Sequence, residues 1–114
     1  MMLKTRIDIL ETGGVISPSV SEYVKKVIDD LEPQGYAQEK MEMFTTHLAM
    51  AAQRILNKEP VDTLDDAVWA QVQGDEHYEE AARIFEEIAG QAPVVYPEAE
   101  RKFLVMHLCN LLQG

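Results

Sequence analysis

A chain of 114 residues has room for one domain and one modest hydrophobic core. Apolar residues supply 46% of the sequence and charged residues 26%, an ordinary balance for a globular domain, but twenty acidic side chains face only ten basic ones and leave a net charge of −10. Such a surface repels phosphate backbones and anionic membranes, so direct nucleic-acid or membrane binding is not expected, while a basic protein partner could dock on it.

Ala, Glu, Leu, Met, Gln and Lys dominate and β-branched runs are short, which predicts an all-α fold. The single Cys109 excludes an internal disulfide and a multi-cysteine metal site, and its apolar setting predicts a buried, inert thiol. The N-terminus lacks the apolar core of a signal peptide, and no apolar run approaches the ~20 residues a membrane helix needs. A cytoplasmic protein is expected.

In residues 1–16, Leu3, Thr5, Ile7 and Ile9 alternate with polar residues before Gly13-Gly14, a pattern that predicts a short extended segment or strand. A lone strand needs a partner, which a second copy of the chain could provide across a dimer interface. The first helix is capped by Ser17-Pro18, repeats Val20, Tyr23, Val24, Val27, Ile28 and Leu31 on one face, and ends at Pro33 and Gly35. A second helix is expected from about Ala37 to Lys58. A short third begins near Asp62-Thr63, buries Leu64, Val68 and Val72 and stops at Gly74. The fourth runs from about Asp75 to Ala89 with Tyr78, Ala81, Ala82, Phe85, Ile88 and Ala89 on one face. The fifth starts at Pro97 and continues through Leu104, His107, Leu108 and Leu111. The expectation is a compact five-helix bundle with a short N-terminal extension.

Two of the three histidines interrupt apolar helix faces. His47 borders the stripe Phe44, Leu48, Ala51 and Ile55, and Arg54 lies seven residues later, two turns along nearly the same face. His107 sits beside Leu104, Leu108 and Leu111, with Glu100 seven residues earlier on its own face. A carboxylate can orient an imidazole and raise its pKa, and an arginine can hold a phosphate by paired hydrogen bonds. Imidazole plus arginine is therefore a plausible acceptor and clamp for a phosphoryl group. His77, among acids at a helix start, is expected to be a solvent-exposed bystander.

Other chemistries fit less well. The residues three before the histidines are Phe44, Gly74 and Leu104, so the Glu-x-x-His pairs of a di-iron bundle are absent. The sequence has no His-Glu-x-x-His, no phosphate loop and no dinucleotide-binding glycine pattern. Cys109 follows His107 by two residues and so points elsewhere, which argues against a Cys-His nucleophile pair. No enzyme and no cofactor are expected. A small metal site from His47, His107 and Glu100 would require all three to converge.

Phe44-Thr-Thr-His47-Leu48 with Arg54-Ile55, then Glu100 followed seven residues later by His107-Leu108, resembles the two histidine motifs of the PTS regulation domain, or PRD. The order of these motifs and the 60-residue separation of the histidines carry the resemblance over about residues 17–114. It implies a helical bundle found in bacterial transcriptional antiterminators and activators, phosphorylated on histidine by the phosphocarrier HPr or by enzyme IIB of the sugar phosphotransferase system. By position it makes His47 and His107 the phosphorylation sites, with Arg54 and Glu100 in support. A homodimer is expected. Such proteins usually carry paired PRDs and an RNA-binding or helix-turn-helix domain. This chain shows neither, so a stand-alone PRD acting through a separate regulator protein is expected. The alternative is a helical adaptor or dimerisation module with structural histidines.

Overall fold

A computed structural model describes residues 2–113. The fold is all-α, with six α-helices where five were expected and no strand among the described residues: α1 (Met2–Thr12), α2 (Pro18–Leu31), α3 (Gln38–Leu56), α4 (Asp66–Gln73), α5 (Tyr78–Ala89) and α6 (Glu98–Leu112).

The additional helix replaces the expected N-terminal extended segment. Leu3 and Ile7 are fully buried and Leu10 packs against the same core, whereas Ile9 is 65% exposed. Spacings of four and three residues place Leu3, Ile7 and Leu10 on one helical face. Leu3 and Ile7 also satisfy an alternating pattern, so only Leu10 and Ile9 distinguish the two periods. Gly13-Gly14 ends this helix, with Val15 N–H donating to the Leu10 carbonyl and Gly14 N–H to that of Glu11. Gly14 at φ 76° supplies the left-handed residue this closure requires. Helix α1 packs on α2 and α3 and is pinned by Lys4–Asp29 and Lys25–Asp8 ion pairs and by Arg6 Nε donating to Thr46 Oγ1 at 2.9 Å. Ile9→Ser should accordingly change stability by no more than about 0.5 kcal/mol, the range for exposed substitutions, in a urea melt. A loss of several kcal/mol would show that Ile9 shares a buried face with Ile7.

Helix α2 forms where its cap and stripe predict. Ser17 Oγ accepts from Val20 N–H, Pro18 opens the helix, and Val20, Tyr23, Val24, Val27, Ile28 and Leu31 are all buried. Helix α4 is shorter than expected. Asp65, not Asp62 or Thr63, provides its cap by accepting from Ala67 N–H at 2.8 Å. Residues 59–65 are left without helix, so Leu64 is half-buried, Val68 is exposed and Val72 is the buried member of that trio. Helix α5 begins at Tyr78, because Asp75 engages the backbone N–H of His77 and holds a turn before it. Helices α3 and α6 lie against each other, and α5 packs along α6. The core runs between them from Met41, Phe44, Leu48 and Ala52 to Leu104, Leu108 and Leu111. No described helix is long and apolar enough to cross a membrane.

Candidate functional site

On α3, Phe44, Leu48 and Ala51 turn inward and fix the rotation of the helix. His47, one residue off that stripe, is thereby left exposed. On α6, Leu104, Leu108 and Leu111 do the same, and His107 comes out half-buried at the seam between the two helices. The rings meet there: the imidazoles of His47 and His107 are stacked, with centroids 4.1 Å apart and planes 12° apart. Two imidazolium cations could not occupy that contact without mutual repulsion.

About two turns away along each helix, a second pair bridges the same helices. Arg54 Nη2 donates to both carboxylate oxygens of Glu100, at 3.2 and 3.3 Å. Glu100 is 2% exposed, while the Arg54 side chain is 40% exposed. An unpaired carboxylate at that depth would be expensive, so Arg54 is its counter-ion. Tyr96, in the segment before α6, shares a 2.9 Å hydroxyl contact with Tyr23 of α2, and burial together with nearby Glu100 pushes its phenol up to about 12.

The structure thus brings His47, His107, Arg54 and Glu100 to one place, but with pairings other than those along each helix. Within a helix, Arg54 accompanies His47 and Glu100 accompanies His107. Across the interface, arginine takes carboxylate and imidazole takes imidazole. The carboxylate is accordingly committed to Arg54, and the His107 pKa runs opposite to what a carboxylate partner produces. Burial first, and then His47, lower it to about 4.

These four residues line a cavity of about 360 Å³ together with Pro60, Val61, Asp62, Phe103, Leu104 and Met106. That volume falls within the range of small-ligand sites. Pro60, Val61 and Asp62 come from the non-helical segment after α3, which folds back over the seam; reading Asp62 as a helix start concealed this. Phe103 lies one helical turn before His107 on α6 and Met106 is adjacent to it, a signal present in the sequence but masked by the general apolarity of the helix. His77 lies outside the cavity, 3.4 Å from Glu76 by its Nε2 and 27% exposed by its side chain, so it is more covered than expected. Among the described residues no group of three His, Cys, Asp or Glu is placed to hold a metal ion. Cys109 is buried, and burial with nearby Asp75 pushes its thiol up to about 11, away from the reactive thiolate.

The family model of the PRD domain matches residues 21–111. The chain is also similar to Uncharacterized protein YhfY of Escherichia coli (strain K12), at 22% identity over 112 residues, covering 96% of this chain and 93% of that protein. No solved structure matches the chain. The chain therefore belongs to the PRD domain family, regulatory rather than catalytic modules that generally interact with proteins of the sugar phosphotransferase system.

Proposed function

We propose that the His47–His107 pair accepts a phosphoryl group from HPr or from an enzyme IIB component, and that the phosphoryl group changes how this module binds a transcription regulator or a second copy of itself. The observation that carries this reading is the Arg54–Glu100 pair lining the same cavity as the two imidazoles. A phosphoryl group brings about two negative charges and three strong acceptor oxygens, and Arg54 is the cation nearest to hand among the cavity-lining residues. Moving Arg54 toward the phosphoryl group would take it from Glu100, whose buried carboxylate would then be left unpaired and would repel the new anion. A local charge event at the α3–α6 seam becomes a change in helix packing.

In this reading residues 17–114 form the signalling domain, helix α1 is an addition that completes the core, and the protein acts in the cytoplasm, as PRD domains generally do. It receives phosphoryl groups without turning over a substrate. The test is incubation with phosphoenolpyruvate, enzyme I and HPr, with and without enzyme IIB. Acid-labile phosphate that disappears in the His47→Ala, His107→Ala double variant is the expected result. Wild-type protein that stays unlabelled by every donor combination removes the signalling reading. It leaves the adaptor alternative, in which the stacked rings serve only to join α3 to α6.

A further inference from the structure

We infer that the stacked histidines hold one phosphoryl group at a time and that its acceptor is His47, with His107 serving as a fixed neutral platform beneath the reacting ring. This rests on the proposed phosphoryl-accepting role of the site and assigns unequal parts to its two imidazoles.

The stack itself carries the inference. Parallel rings with centroids 4.1 Å apart and planes 12° apart cover one face of each imidazole with the other, and an N-linked phosphoryl group must project in the plane of its own ring. A phosphoryl tetrahedron is thicker than the gap between the two planes, so groups on both rings would collide along any shared edge. They would also set two dianions side by side. The remaining edges are not equivalent. His47 is exposed where α3 meets α6, and a donor protein can reach it. His107 is half-buried between Leu104 and Leu108 of α6, with Phe103 and Met106 beside it at the cavity wall.

The chemistry assigns the same roles. A neutral ring nitrogen of His47 attacks phosphorus, forming an N–P bond as the donor's N–P or S–P bond breaks. The departing nitrogen or sulfur keeps the electron pair of that bond. His47 carries positive charge as it accepts the phosphoryl group, until the proton on its other nitrogen leaves, and that proton balances the charge on the departing donor. A neutral ring stacked against the developing imidazolium stabilises it, whereas a second cation there would oppose it. Burial holds His107 in the neutral state throughout the physiological range. The groups facing the pair are Arg54 of α3, Glu100 of α6 and Asp62 of the overlying segment. Arg54 is the cation among the cavity-lining residues, so a first phosphoryl group has a cationic partner there and a second would find no further one in the lining.

Phosphoramidate, a small chemical phosphoryl donor that modifies accessible histidines without any protein, separates this inference from the proposed donor pathway. A His77→Asn background removes the remote histidine. Intact-mass and peptide analysis should show one phosphoryl group per chain, located on His47. His47→Gln should lose it, and His107→Phe, which keeps an aromatic platform, should retain it. Circular dichroism and thermal melting establish that both variants are folded. Chains carrying phosphoryl groups on both residues would overturn the inference, as would modification concentrated on His107 or its appearance there in His47→Gln. If phosphoramidate gives the expected pattern but no phosphotransferase protein labels the chain, the assignment stands and the proposed donor fails. Double labelling by the phosphotransferase proteins has the opposite meaning.

Discussion

Arg54→Ala should lower the unfolding free energy by about 3 kcal/mol, the lower end of the cost of removing one member of a buried ion pair. The lower end applies because the Arg54 side chain is 40% exposed and water can partly replace it, whereas Glu100 is 2% exposed and cannot move to solvent without disturbing α6. For a domain of this length the loss corresponds to roughly 12 °C in Tm. The physical claim is that the loss comes from a stranded carboxylate. Arg54→Met combined with Glu100→Leu should therefore recover most of it, since an apolar pair of similar volume removes both charges together. Denaturant unfolding of Arg54→Met, of Glu100→Leu and of the double variant forms the cycle that measures the coupling. A loss under about 0.5 kcal/mol for Arg54→Ala would make the pair an ordinary surface contact. The idea that phosphoryl transfer disturbs packing by drawing Arg54 away would then lose its basis.

Acidification from neutrality should destabilise the fold before most carboxylates titrate. His107 has a pKa of about 4 in the folded protein against an ordinary 6.5, because burial and His47 disfavour its charged form. A group with a depressed imidazole pKa contributes its full stabilisation above pH 6.5. Between pH 6.5 and 4 the unfolded chain takes up a proton that the folded chain refuses, so stability falls as pH falls. The shift sets a ceiling of about 3 kcal/mol, and the half-exposed position of the ring brings the expected loss to about 2 kcal/mol. His107→Phe preserves an aromatic ring against His47 and has nothing to protonate, so its stability should stay nearly flat from pH 6.5 to 5. Parallel wild-type and His107→Phe curves between pH 6.5 and 5 would show that His107 is as easily protonated in the fold as in the unfolded chain.

The sequence carried the helices wherever a cap and a stripe agreed. Ser17-Pro18 followed by six apolar positions located α2 closely, and the inward faces of α3, α5 and α6 followed from the same periodicity. It failed where two periods coincide. A four-residue gap between Leu3 and Ile7 suits a helix and an alternating strand equally, and the deciding contrast, Leu10 inside and Ile9 outside, depends on where α2 and α3 lie. It failed again at Asp62 and Asp65, which are both competent caps: local chemistry alone does not choose between them, and the choice leaves residues 59–65 free to close over the cavity.

For the site, intrahelical spacing sufficed to place Arg54 two turns from His47, and Glu100 two turns from His107, because a helix repeats its faces regardless of what surrounds it. Partnership across helices is a different kind of information. The contact between α3 and α6 set arginine against glutamate and imidazole against imidazole, and with that it set the depth of Glu100 and the neutrality of His107. Neither burial nor charge pairing is a property of one helix, so the sequence could name the four side chains while the tertiary packing alone decided which of them meet.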